Sequence, residues 1–445
     1  MNLSRMLGQR ADAGRPVRVG LIGGGKFGSM YLTQARLTTG IHVLGIADLN
    51  PDRLRETLKR CGWPEEQSDT GSFAAALQSG RTFITDNAMD LIEADGLDVL
   101  IDATGDPAAG IRHCQAAIRN GRHIVMVNVE ADALAGPLLA RQAEKAGLVY
   151  SLAWGDQPAL VAEHVDWART CGFKVVCAGK GTRYLPSYHQ LTPDTVWDTL
   201  RTYLALEHPE QINLKMFNSF LDGTKSGIEM TAVCNATGLV PQDDGLSFPP
   251  ASRFELSTVC KPRENGGTLS RTGTTEVTSS LYRDGSDVEH HLAMGTYVVI
   301  EAETDYARQC FNEYHMLEDD TGQFASLYRP THMIGMELGL SVASAALRGE
   351  PTGSAIGFHS DVVATTKKAM KAGEMLDGEG GFTVWGKQCP ATTSLAAGYL
   401  PLGLSHNVKL LRDVVEGQML IWDDVAIDTT EEAYLFRRDM EKAFG

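Results

Sequence analysis

The sequence predicts an α/β protein in three parts. Residues 1–157 form a parallel-sheet domain, residues 158–350 an α+β domain, and residues 351–445 a small β-rich domain. Three observations carry this. A β-branched run from Val17 enters Gly23-x-Gly25-x-x-Gly28 and then a helical pattern. Strand and helix patterns alternate to about residue 150, as a parallel sheet with right-handed crossovers requires. After Pro351 the chain turns to short strands and turns.

The first strand, turn and helix come in the order that a dinucleotide site needs. Gly23 permits the tight turn, Gly25 lets a pyrophosphate reach backbone N–H groups at the helix start beside Lys26 and Phe27, and Gly28 allows helix and strand to pack closely. The second strand, Ile41–Asp48, ends on Asp48, where a carboxylate accepts hydrogen bonds from the adenosine ribose. Together these define a Rossmann dinucleotide-binding domain. Asp48 alone favours NAD, because it would repel a 2′-phosphate. Arg53 is either a cation reaching over the ribose, which favours NADP, or a solvated charge on the helix that Pro51 starts. Further strands are expected at Leu97–Thr104, His123–Val129 and Leu148–Ala153, with helices at Pro107–Asn120 and Asp132–Ala146. Thr104, Gly105, Asn128 and Glu130 fall at carboxyl edges of that sheet, where the nicotinamide half is expected. Gln157 and Pro158 follow the next strand, ahead of a helix.

In the middle of the chain, the strand Phe173–Gly181 opens into Lys180, Arg183, Tyr184 and His189, a composition suited to gripping an anion. One helix is expected over Phe217–Ala236, just after Lys215. At its spacing Asn218, Asp222, Lys225 and Glu229 would line a single stripe among apolar neighbours, where charges are costly unless paired or used. Gly238–Gly273 reads as a long excursion. Thr275–Tyr282 and Ala293–Ala302 read as antiparallel strands joined through Asp284-Gly285. A helix over Pro330–Leu347 would begin at Arg329 and His332, an anion contact. The C-terminal part shows no constellation that could carry chemistry.

Composition bounds the function. The 445 residues are 43% hydrophobic and 22% charged, which excludes fibrous and disordered classes. With 40 Lys plus Arg against 56 Asp plus Glu, the net charge is −16, and nucleic acid is not an expected partner. No apolar stretch approaches the ~20 residues of a membrane span. Charged residues stand near the N-terminus, so a soluble, cytoplasmic protein is expected. The eight cysteines form no C-x-x-C pair, which argues against structural zinc. A dinucleotide domain with a substrate domain suggests a homo-oligomer, dimer or tetramer.

On Gly23-x-Gly25-x-x-Gly28, Asp48 and Asp102-Ala103-Thr104-Gly105, the first ~150 residues resemble the NAD-binding domain of homoserine dehydrogenase-like oxidoreductases. On Lys371-Ala372-Gly373-Glu374 and Glu416-Gly417-Gln418, the end of the chain resembles a SAF-type module. With Gly155-Asp156-Gln157-Pro158, Ala178–Thr182 and Phe217–Lys225, nearly the whole chain is similar to 1-deoxy-D-xylulose 5-phosphate reductoisomerase-like proteins. That resemblance implies NADPH-dependent rearrangement and reduction of deoxyxylulose phosphate to methylerythritol phosphate, a step of isoprenoid biosynthesis, helped by a divalent cation, magnesium or manganese. For that chemistry Lys225 could stabilise an oxyanion, and Asp222 or Glu229 could act as base or bind the cation. Lys180, Lys215, Arg329 or His332 could hold a phosphate. The same residues suit a dehydrogenase of a small hydroxy acid or sugar acid. A third reading, of another class, is a non-catalytic NAD(P)-binding sensor.

Overall fold

A computed structural model describes residues 2–202 and 213–445. The chain forms two compact units, Met1–Leu160 with His332–Ile356, and Val161–Thr331 with Gly357–Gly445.

The first unit contains α1 (Leu3–Asp12), β1 (Val17–Ile22), α2 (Lys26–Ala35), β2 (Ile41–Ala47), α3 (Pro51–Arg60), α4 (Phe73–Ser79), β3 (Phe83–Thr85), α5 (Ala88–Glu93), β4 (Val99–Asp102), α6 (Pro107–Arg119), β5 (His123–Met126), α7 (Val129–Lys145), β6 (Tyr150–Leu152) and the returning α14 (Gly339–Arg348). Its six strands lie in the order β3-β2-β1-β4-β5-β6, every pair parallel. Helices follow the strands because apolar runs such as Val17, Val19 and Leu21 are fully buried and need cover. Side-chain caps then set the helix starts: Asn50, Ser72, Asn87, Asp106 and Asn128 each accept a backbone N–H. The expected Rossmann architecture is therefore present. Sequence reading passed over α1, whose Leu3 and Leu7, one turn apart, join Leu338, Val342 and Ala343 of the α14 region in one core. The helix expected from Pro330 begins only at Gly339. Gly335, at φ +82°, lies so close to Phe27 O that a Cβ there would clash, and the preceding residues run as turns.

Asp132 in α7 is fully buried. Its Oδ1 accepts the Tyr150 hydroxyl at 2.8 Å, Oδ2 has no partner, and burial pushes its pKa up to about 7. Such a carboxyl stays protonated in the fold to about pH 7 but ionises near pH 4 when unfolded, so stability falls as pH rises through that window. Asp132→Asn is expected to flatten the slope, gaining roughly 1–3 kcal/mol over the parent at about pH 8 and nothing near pH 4. Urea unfolding at both pH values checks this.

α8 (Gln157–Thr170) leads from the first unit into the second. The second holds β7 (Lys174–Thr182), α9 (Val196–Leu200), α10 (Leu214–Leu221), α11 (Thr224–Thr237), α12 (Leu256–Val259), β8 (Thr274–Ser279), β9 (Thr296–Glu301), α13 (Asp305–Glu313), β10 (Leu317–Glu318) and β11 (Phe324–Arg329). It continues with β12 (Ser360–Thr366), β13 (Met375–Asp377), β14 (Val384–Pro390), α15 (Ala391–Ala397), β15 (His406–Leu410), β16 (Val425–Ala426) and α16 (Glu432–Phe444). The large sheet has the order β10-β11-β9-β7-β8. This corrects the expected hairpin: β8 and β9 are not neighbours, because β7 lies between them, parallel to β8 and antiparallel to β9. The turn at Asp284-Gly285 is real but local, with Tyr282 N–H donating to Ser286 O. Residues 238–273 are largely irregular, as expected, and are tied down by buried Glu276. Its carboxylate accepts from Ser247 N, Phe248 N, Val277 N and the Ser247 hydroxyl.

The single helix expected over Phe217–Ala236 is two helices. Gly223, at φ +90°, breaks it, and Asp222 turns its carboxylate onto the Thr224 N–H at 2.9 Å. The antiparallel β12–β14 pair packs on α11. There Thr224 Oγ1 accepts from Gly386 N, and Asn235 Oδ1 from His359 N and Ser360 N. In α16 the fully buried Arg437 grips Asp361 of β12 through both terminal nitrogens, at 3.2 and 2.6 Å, and Glu441 through Nε.

Candidate functional site

In the first unit the glycine turn is shaped for a bound dinucleotide. A Cβ on Gly23 would strike Ala103 O, and one on Gly28 would strike Gly23 O. Gly25, in contrast, has open space in front of it. It caps α2 without any side-chain hydrogen bond, leaving the first N–H groups, near Lys26 and Phe27, to meet a pyrophosphate. The residues fit the cofactor. Asp48 is buried and already engaged. Oδ2 accepts from Gly24 N at 2.8 Å, and Oδ1 from Asn50 N at 2.9 Å and Arg53 Nη2 at 3.2 Å. Arg53 keeps 65% of its side chain exposed.

At the far strand ends, Asp102 organises the turns. Its Oδ1 accepts from Thr104 N, the Thr104 hydroxyl and Asn128 Nδ2, and its Oδ2 lies 2.6 Å from His113 Nδ1. Asn128 also caps α7 through Ala131 N. Thr104 and Gly105 are exposed, Glu130 sits half-buried in the first turn of α7, and Gln157 and Pro158 are buried at the start of α8.

In the second unit the sheet register builds a row. Thr296 lies opposite Lys180 on one side and opposite Arg329 on the other, and opposed residues share a face. Lysine, hydroxyl and guanidinium thus stand side by side on adjacent strands, spaced by ~4.8 Å per strand. Two helices on that face add to the row. His164 of α8 contacts Thr296 Oγ1 at 3.1 Å. Glu229 of α11 pairs with the Lys180 ammonium, both side chains being under 10% exposed. Lys225 lies one turn from Glu229 on the same face of α11, half-buried. α11 runs from there toward Cys234, which meets Thr275 of β8, so Lys225 lies toward the carboxyl end of β7. Burial, reinforced by the charge of Arg329, pushes His164 down to about 4, so its ring is neutral at pH 7. His164 thus adds no charge to a row that holds the Arg329 guanidinium and the Lys180 ammonium, the latter paired with Glu229.

The remaining residues named from sequence lie elsewhere or do other work. Asp222 and Asn218 leave the stripe. Asp222 Oδ2 is 2.7 Å from the buried Lys367 ammonium, which also donates to Leu191 O and Gly381 O. Asn218 Nδ2 donates to Leu191 O and Gly380 O. Both hold the α10–α11 junction. Tyr184 and His189 sit in an aromatic stack: Tyr184 lies 3.9 Å from Phe248 and His189 3.7 Å from Trp385. His189 donates from Nδ1 to Asp222 O at 2.7 Å and accepts the Tyr184 hydroxyl at Nε2, while burial pushes Tyr184 up to about 12 and lowers His189. Arg183 turns outward to Asp287. Lys215 is exposed in the first turn of α10. Arg329 and His332 do not open a helix. Arg329 closes β11, and His332 belongs to the other unit.

The divalent cation that the resemblance implies finds no support in these residues. Among the described residues no group of three or more His, Cys, Asp and Glu is placed to hold a metal ion, and Asp222 and Glu229 are each paired with a lysine. Sequence reading missed Thr296, His164, Lys367 and Trp385. Thr296 reads as an ordinary strand residue, and Lys367 and Trp385 lie in the part that showed no constellation.

Residues 155–338 match the family model described as oxidoreductase DRL, catalytic domain, less than half of the chain. No curated protein matches. Among solved structures, an oxidoreductase domain protein from Kribbella flavida is 16% identical with a TM-score of 0.28, over 38% of this chain and 43% of that one. Biliverdin reductase from Synechocystis sp. PCC 6803 is 18% identical with a TM-score of 0.26, over 38% and 48%. Dihydrodipicolinate reductase from Paenisporosarcina sp. TG-14 is 12% identical with a TM-score of 0.36, over 76% and 97%. The chain thus spans under half the length of the first two. TM-scores this low carry no conclusion about function. The glycine turn and the Rossmann strand order define a dinucleotide-binding fold, and the residues that follow it match the model of an oxidoreductase catalytic domain. Among the described residues no helix is long and apolar enough to cross a membrane.

Proposed function

We propose that the chain reduces a small hydroxycarbonyl compound bearing a phosphate or carboxylate, with NADPH as the reductant. The carrying observation is the row Lys180–Thr296–Arg329, which sets a lysine, a hydroxyl and a guanidinium side by side, with a buried carboxylate behind the lysine. When bound, NADPH would supply the hydride. Lys180, held in place by Glu229, is the positive charge and proton donor for the alkoxide that forms. Arg329 binds the substrate's anionic group in a forked geometry, and Lys225 adds charge from α11. His164 donates to or accepts from the Thr296 hydroxyl and fixes its orientation.

The preference for NADP is supported by Asp48, whose charge three donors already offset, and by the exposed Arg53 beside it. Arg53→Ala is expected to weaken NADP binding about tenfold and leave NAD unchanged, as fluorescence titration of both cofactors would show. Equal losses for both would remove the 2′-phosphate role.

The resemblance makes 1-deoxy-D-xylulose 5-phosphate the first substrate to try. One observation favours a plain dehydrogenase of a hydroxy acid or sugar acid instead: the carboxylates expected to bind a cation are both paired with lysines. Methylerythritol phosphate formation, assayed against a panel of hydroxy acids, decides between the two. The small-molecule substrate, the cytoplasmic setting and the homo-oligomer belong to the same proposal.

A further inference from the structure

In the first unit, a cavity of about 440 Å³ opens at the amino-terminal end of the parallel sheet. Arg18 and His42 are the second residues of β1 and β2, whereas the glycine turn follows the last residue of β1. At ~3.3 Å per residue the cavity is therefore roughly 15 Å from the dinucleotide turn, too far to be part of it. Its volume lies within the range of small-molecule sites.

The lining is chemically one-sided. Arg18, Arg36 and His42 line it with Trp63 and Leu77, and no Asp or Glu does. That is unusual in a chain with 56 acidic residues against 40 basic ones. Arg36 donates Nε–H to Cys61 O at 3.0 Å, which fixes the stem and leaves the terminal nitrogens as donors. Arg18 Nε is buried without a hydrogen-bond partner, and a buried donor left unmade is costly. His42 Nε2–H donates to Arg81 O at 2.7 Å, so Nδ1 presents a lone pair. The Trp63 indole is fixed by donating to Leu32 O at 2.9 Å, and so offers a held aromatic surface.

We propose that this cavity is a second ligand site, for a planar aromatic ring carrying a carboxylate or phosphate. The guanidinium groups of Arg18 and Arg36 take the anion, and Trp63 and Leu77 cover the ring. The site is independent of the substrate row and of the dinucleotide.

The test uses the full chain, with and without saturating NADP, titrated calorimetrically with phenyl phosphate, benzoate and the neutral benzyl alcohol. Phenyl phosphate or benzoate is expected to bind equally well in both conditions, and benzyl alcohol not at all. Arg18→Gln and Arg36→Gln should each weaken binding about tenfold. Gln78→Glu, at an exposed lining position, places a carboxylate in the cavity without disturbing the core and should abolish binding. The proposal is overturned by no binding at about 10 mM, by displacement with NADP, or by anion binding that survives Gln78→Glu.

Discussion

A Lys180→Met variant is expected to lose about 10³-fold in kcat/KM while binding NADP(H) as the parent does. Lys180 is the ammonium at the centre of the row, opposite Thr296 and backed by Glu229, in a place from which water is largely excluded. A charge meeting a forming alkoxide there acts in a low dielectric, where it is worth far more than in water. Removing the lysine alone also leaves Glu229 buried without that partner, so the double variant Lys180→Met/Glu229→Gln serves as the control for folding. It should recover thermal stability but not turnover. His164→Gln keeps a hydrogen bond to Thr296 within reach and should cost only about tenfold in kcat/KM. His164 titrates near 4 in the fold against about 6.5 unfolded, so it contributes stability above pH 6.5 that is lost as pH falls toward 4. The Gln variant should lack that loss. If Lys180→Met keeps more than about a tenth of the parent's kcat/KM, the lysine is a structural partner of Glu229 and the row does not carry the chemistry.

The largest stability effect is expected at Arg437. Its side chain is fully buried, with bidentate contact to Asp361, Nε on Glu441 and the guanidinium 4.9 Å from the Phe358 ring. Asp361 is itself fully buried and accepts the Ser394 hydroxyl at 2.6 Å. Arg437→Ala removes the cation and leaves Asp361 in a site without water, which costs about 3–5 kcal/mol. Arg437→Met with Asp361→Leu removes both charges and fills the volume, and should recover most of that loss. Urea unfolding of the three proteins measures it. A loss under about 1 kcal/mol for Arg437→Ala would mean that water reaches Asp361 and the network is not closed.

The dinucleotide domain was legible because its signals are local. A strand, three glycines and a helix lie within the 19 residues Val17–Ala35, and Asp48 ends the very next strand. α1 and α4 to α5 escaped because short helices with two or three apolar residues give weak periodicity. The substrate row escaped for a different reason. Lys180, Thr296 and Arg329 are brought together by strand register over about 150 residues, and nothing in the spacing of one segment reveals which strands pair. Glu229 was found for its cost in a buried helix, and its partner proved to be Lys180 rather than a neighbour on the stripe. Asp222 misled because i, i+3 and i, i+4 spacing means a shared face only in an unbroken helix, and Gly223 breaks this one. Lys367 and Trp385 show that strands near the end of the chain brace this unit, which composition alone does not show.

The most direct measurement follows the hydride itself. NADPH deuterated at the nicotinamide C4 is incubated with the protein and a panel of phosphorylated and carboxylated hydroxycarbonyl compounds, 1-deoxy-D-xylulose 5-phosphate included, and products are weighed by mass spectrometry. One deuterium should appear on the reduced carbon of an anionic substrate, and not with Lys180→Met. Tight NADPH binding with no deuterium in any product would contradict the account and leave the chain a dinucleotide-binding protein without this reaction.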